Sequence, residues 1–221
     1  MNNERELLRI DLGCGSIKKE GTLGLDILAA PGVDYVLNIG KQPLPFEDRS
    51  VEYVYSSHFL EHTPNFGDVF VEISRVCANG AQLELWTPYG WSNSAFVLDH
   101  KFFFTEEVYH HICLWYVDFW VDALKARWIL NEFRYVVPPE TLAYLKANRI
   151  SLDFALKHLH NIAREFGTYI TVLHDDLTAS SPPFKRTVAT DRFAPSRDVS
   201  EFDLEIGSGA PWGRQGFPPT Q

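Results

Sequence analysis

The chain has 221 residues, 45% of them hydrophobic and 22% charged, with a formal net charge of −9. This is a globular composition, long enough for one sizeable core, and its acidic balance repels phosphate backbones, which argues against nucleic-acid partners. No run approaches the roughly 20 apolar residues needed to cross a bilayer, and the three scattered cysteines, Cys14, Cys77 and Cys113, suit reduced thiols rather than a disulfide framework.

The polar start Met1-Asn2-Asn3-Glu4-Arg5-Glu6 lacks the apolar stretch of a signal peptide, so a cytoplasmic location is expected. Leu7 to Leu12 then predicts a strand, stopped by Gly13 and Gly15. Leu23 to Ile27 predicts a second, and Val33 to Ile39 a third, introduced by Pro31-Gly32. Val51 to Ser56 is the fourth. Asp68 to Ala78 has helical spacing, with Val69, Ile73 and Val76 or Cys77 on one face, and Asn79-Gly80 predicts its end. Ala81 to Trp86 is the fifth strand, closed by Thr87-Pro88. Strands alternating with helical segments imply parallel pairing and a sheet covered on both faces.

In the second half, Thr105 with Glu106 and Glu107 marks a helix start running toward Ile112 or Leu114. Trp128 to Val137 predicts a strand, Glu140 to Phe166 one or two helices broken near Ile150-Ser151, and Tyr169 to Leu173 a last strand. These late strands fit an antiparallel edge on a parallel sheet. Residues 180–221 hold six prolines and four glycines and no sustained apolar period, so they predict a tail, loose or pinned by Phe184, Phe193, Phe202 and Trp212.

A strand ending in Gly-x-Gly lets a ligand approach the backbone, because no Cβ intervenes. Asp11 precedes that turn, where a carboxylate can meet an ammonium group. Asp26 ends the second strand, where a carboxylate can take both hydroxyls of a ribose, and Asn38 nearly ends the third, where an amide can read an adenine edge. Polar groups at successive strand ends would line the crevice where open α/β sheets bind ligands.

In order along the chain, Ile10-Asp11-Leu12-Gly13-Cys14-Gly15 resembles the first motif of class I S-adenosylmethionine-dependent methyltransferases. Pro43-Leu44-Pro45-Phe46 with Ser50-Val51-Glu52-Tyr53-Val54 resembles the stretch before that family's fourth strand. Ser56-Ser57-His58-Phe59-Leu60-Glu61-His62 resembles the segment after it. His100-Lys101-Phe102-Phe103-Phe104-Thr105 is similar to a segment of the family's small-molecule branch. The resemblance spans about residues 7–112. It implies a Rossmann-like α/β fold: a mostly parallel seven-stranded sheet with one antiparallel edge strand and helices on both faces. The domain would run from 1 to 179 with a helical, aromatic insertion around 89–127, followed by the tail at 180–221.

The resemblance also implies S-adenosylmethionine as cofactor, held by Asp11, Gly13, Cys14, Gly15, Asp26, Ile27, Asn38, Ile39, Ser56 and Ser57. The acceptor would be a small molecule of natural-product or saccharide type, methylated on O or N, with Tyr89, Trp91 and His100 around it and His100 or His58 as the base. No metal, nucleic acid or membrane is expected, and the tail could join two copies into a homodimer. One departure stands out. Asp26 follows Gly15 by only 11 positions, so the first crossover helix must be very short or replaced by a loop.

Two other readings stay open on the same letters. One is a catalytically silent S-adenosylmethionine-binding module. The other is a zinc hydrolase, because His58-Phe59-Leu60-Glu61-His62 fits the His-x-x-Glu-His pattern of inverted zinc peptidases, which needs a helix that Pro64 would interrupt.

Overall fold

A computed structural model describes residues 6–206. Nine strands form one sheet: β1 (Leu8–Leu12), β2 (Leu23–Asp26), β3 (Tyr35–Val36), β4 (Val51–Ser57), β5 (Cys77–Pro88), β6 (Arg127–Val136), β7 (Glu165–Leu173), β8 (Lys185–Ala189) and β9 (Arg197–Asp198). Their order is β3-β2-β1-β4-β5-β7-β6-β8-β9. The sheet is mostly parallel, as expected. The reversed strand β7 lies between β5 and β6, antiparallel to both, and β9 is the antiparallel edge.

The helices are α1 (Phe66–Val76), α2 (Glu106–His110), α3 (Val117–Leu124), α4 (Pro139–Ala147), α5 (Leu152–His158) and α6 (Val199–Glu205). In α1, Val69, Phe70, Ile73 and Val76 recur on one face and are wholly buried, each contributing about 1.5–3 kcal/mol of burial. The helix stops at Val76 because Cys77 is already extended. Asn79-Gly80, expected as the stop, falls inside β5 instead, with Gly80 at φ +85°. The segment starting at Thr105 passes from α2 into a π-helical turn, His111–Trp115, and then into α3, which the sequence did not suggest.

Between β1 and β2 no helix forms, in agreement with the short span to Asp26. Loops 13–22 and 27–34 stack on each other through two glycines: a Cβ on Gly24 would lie 2.1 Å from the Gly32 carbonyl oxygen, and one on Gly32 would lie 2.9 Å from Ser16. Asp34 pins the stack, accepting from Lys18 Nζ at 2.5 Å and Gly24 N at 2.7 Å.

This abbreviation changes the layering. Buried side chains of every helix, α1 to α6, fall in one core with Ile10, Val54, Leu83, Phe133 and Ile170 of the sheet. The smaller cluster on the other face is built from strand residues alone, Tyr55, Trp86 and Val136 with Tyr53 and Tyr169 packed against them. The expected helices on both faces are therefore not found among the described residues, since the first two crossovers are too short to carry any. Glu84 organises that face, accepting from Lys19 Nζ at 2.6 Å, Trp86 Nε1 at 2.8 Å and the Tyr53 hydroxyl.

Residues 185–205, expected in the tail, instead extend the sheet. Strand β8 pairs in parallel with β6, and α6 buries Val199 and Phe202. Phe184 packs edge to face on Phe133, whereas Phe193 is 91% exposed. Trp212 lies outside the described residues, as does the last part of the tail, residues 207–221.

Candidate active site

The chain turns sharply after β1. Gly13 N and Cys14 N both donate to the Leu25 carbonyl, at 2.8 and 3.2 Å, and Gly13 and Gly15 adopt φ of +69° and +58°. Gly15 N donates to Asp26 Oδ2 at 2.9 Å, and Leu28 N to Asp26 Oδ1 at 3.1 Å. The acid at the end of β2 thus holds the glycine turn in place while keeping lone pairs free.

A cavity of about 540 Å³ opens beside this turn, at the carboxyl ends of the parallel strands. Gly13, Asp26, Ile27, Asn38 and Ile39 line it, as expected. So do Leu37, Lys41, His58, Phe59, His62, Asn65, Asp99 and Lys101, most of which sequence reasoning did not single out. Its volume lies in the range of cofactor-sized pockets.

The other expected residues stand behind or away from this wall. Asp11 is buried and accepts from Lys19 N at 2.8 Å, so it secures the loop instead of reaching the cavity. Burial, offset only in part by that bond, pushes its carboxyl up to about 6. Cys14 packs under the turn, its thiol 3.5 Å from the Gly32 carbonyl oxygen, and burial raises it to about 11. Ser56 is buried and donates to the Leu12 carbonyl at 3.2 Å, while Ser57 Oγ accepts from Arg192 at 2.6 Å. Tyr89 is a core residue, not a pocket wall, since its hydroxyl donates to the Leu156 carbonyl at 3.0 Å and its ring packs on Tyr135 and Phe166. Trp91 lies on the surface, 55% exposed.

His58 follows β4 in the left-handed region, at φ +54°. Its Nδ1 lies 3.2 Å from Glu61 Oε1 and its Nε2 2.7 Å from Glu165 Oε2. Burial works against its positive charge, but the hydrogen bonds to Glu165 and Glu61 outweigh it and lift the pKa to about 9. At neutral pH His58 is a cation with both nitrogens engaged, which is incompatible with taking a proton from an acceptor. The base role expected of it is corrected on that ground. The zinc-peptidase pattern fails as well, because only Leu60–His62 is helical, as a single 3-10 turn, and His58 faces two carboxylates.

His100 does not line the cavity directly. Its Nδ1 lies 3.0 Å from the Ala95 carbonyl oxygen and its ring stands edge to face with His62, centroids 4.7 Å apart. Lys101 N and Phe102 N donate to the Glu61 carbonyl at 2.6 and 3.3 Å, which joins the two histidine-bearing segments. No local sequence signal links His62 to His100, because their proximity comes from this tertiary contact.

The methyltransferase domain family matches residues 18–85, less than half of the chain. No curated protein matches it. Among solved structures, an S-adenosylmethionine-dependent methyltransferase from Archaeoglobus fulgidus superposes with a TM-score of 0.50 at 14% identity, covering 76% of this chain and 87% of that one. A Methanosarcina mazei S-adenosylmethionine-dependent methyltransferase gives 0.47 at 16% identity, covering 77% and 94%. The complex between the Haloferax volcanii Trm112 methyltransferase activator and a methyltransferase gives 0.48 at 14% identity, covering 80% and 86%. The methyltransferase domain match thus falls on the segment from the loop after β1 into β5, the part of the sheet whose strand ends border the cavity at the glycine turn.

Proposed function

We propose that the chain is a class I S-adenosylmethionine-dependent methyltransferase, acting on an O or N atom of a small polar molecule that enters the cavity at the end formed by His58, His62, Asp99 and Lys101. The observation that carries this reading is the single cavity wall that runs from Gly13, Asp26, Asn38 and Ile39 to those four polar side chains. One end suits a nucleoside, with a carboxylate for the ribose hydroxyls and Asn38 with Ile39 for the base. The other end is polar and ionic, which suits a small hydrophilic acceptor.

The bound cofactor supplies an electrophilic methyl group on a sulfonium. The chain's part is to hold both reactants in line, an effect worth up to roughly 7–11 kcal/mol. In this reading His62, the neighbouring imidazole with no carboxylate clamped on it, touches the acceptor, and His100 supports it from behind. Cationic His58 and Lys101 would draw an anionic or hydroxyl-rich acceptor.

Calorimetry with S-adenosylhomocysteine tests the cofactor end. Asp26→Ala is expected to lower its affinity at least ~100-fold, because two hydrogen bonds to a charged group are lost at about 1.5–3 kcal/mol each. Unchanged affinity in a folded variant would defeat the assignment. Transfer of labelled methyl to a panel of small hydroxyl and amine compounds tests the acceptor end.

A further inference from the structure

We propose that Glu61, His62 and His100 bind one divalent transition-metal ion at the acceptor end of the cavity. Each residue offers one ligand atom, and the three atoms lie within 4.8 Å of one another. Bonds of about 2.0–2.2 Å to a shared ion would require the side chains to close by only ~1 Å.

Two independent features point to a ligand. Glu61 is 1% exposed, its Oε1 meets His58, and its Oε2 is buried without a hydrogen-bond partner. A buried unpaired carboxylate oxygen is costly, and a cation beside it removes that cost. His100 Nδ1 lies on the Ala95 carbonyl, which places the ring proton there and leaves Nε2 with its lone pair. A ligating histidine typically makes this outer contact, since it fixes tautomer and orientation. The Lys101 and Phe102 amides on the Glu61 carbonyl brace the two halves of the cluster.

Two imidazoles and a carboxylate suit zinc, iron(II) or cobalt(II), and suit magnesium poorly because it prefers oxygen ligands alone. Three protein ligands leave a coordination position open. His62 lines the cavity, so that position would face it and could take an acceptor oxygen or nitrogen. This last role rests on the proposed function, whereas metal binding itself does not.

The test uses the full chain stripped with chelator and titrated with Co2+ and then Zn2+. The expected result is uptake of one Co2+ with visible ligand-field bands, displaced by Zn2+. His62→Ala and His100→Ala should each weaken Zn2+ binding at least ~10-fold, and His158→Ala, on α5 away from the cluster, should not. If a Glu61→Gln protein fails to fold, the surface variant His62→Gln still decides the matter. No stoichiometric uptake, or uptake unchanged in both histidine variants, would overturn the site and leave Glu61 Oε2 to a buried water. Calorimetry with S-adenosylhomocysteine on metal-free protein reads the other proposal separately. Cofactor binding without metal uptake defeats the metal site alone, and metal uptake without cofactor binding defeats the proposed function alone.

Discussion

A Cβ on Gly13 would lie 2.4 Å from the Phe59 Cβ, on a backbone already at φ +69°, whereas one on Gly15 would meet nothing within 4 Å. The two glycines of the motif therefore have different reasons to be glycine. Gly15→Ala is expected to cost only the left-handed strain, about 1–2 kcal/mol. Gly13→Ala adds an overpacked contact and should cost about 3 kcal/mol or more in chemical denaturation. Equal losses would show that Phe59 moves aside freely. Asp11 gives a prediction about pH. Its folded pKa, about 6, stands above its ordinary 3.8, so the native state favours the protonated form. Its contribution is complete below about pH 4 and is lost as pH rises through 6. Relative to Asp11→Asn, the wild type should lose about 3 kcal/mol across that window. Parallel stability curves at pH 4, 5, 6 and 7 would refute this.

At the scale of elements, α5 and α6 stabilise each other end to side. Asp203 of α6 accepts from Leu152 N at 2.6 Å and from Ser151 Oγ at 2.9 Å, so a carboxylate sits on the amino end of α5 beside its own cap residue. Asp203→Ala should cost about 1–2 kcal/mol, and a thermal melt should drop by about 2–8 °C for a chain of this length. No local pattern announces this pairing, because the partners are some 50 positions apart. The composition of residues 180–221 concealed it. Prolines dilute the apolar spacing, yet Val188, Val199 and Phe202 suffice to bury one short strand and one short helix.

For the whole molecule, the consequence of two short crossovers is a sheet with a helical face and a face made of its own side chains. No described helix is long and apolar enough to cross a membrane. Loop 190–196 reaches over the second face, where Arg192 stacks on Trp86 at 4.8 Å, donates to the Tyr55 hydroxyl at 3.0 Å and Ser57 Oγ at 2.6 Å, and pairs with Glu165. Glu165 in turn holds His58, so the late segment is wired to the site. Both Arg192 and Glu165 are largely buried. Arg192→Ala leaves a carboxylate half-paired and should cost about 3 kcal/mol, seen as a fall of about 6–12 °C in melting temperature. A change under 2 °C would mean that water replaces the arginine.

Much of this protein was legible in its order of residues. Strand-ending Gly13, Asp26 and Asn38 pointed to one wall of the cavity, because a parallel sheet brings the carboxyl ends of neighbouring strands to one rim. The 11-residue span to Asp26 was enough to predict a missing helix. Only the tertiary structure decided which partners each histidine meets. His58, His62 and His100 look alike along the chain, and their chemistry depends on partners far away in it: Glu165 across the sheet makes His58 a cation, and the bonds from residues 101 and 102 to Glu61 bring His100 against His62. Titration and ligation respond to distances of a few ångströms between such groups, and only the folded chain sets those distances.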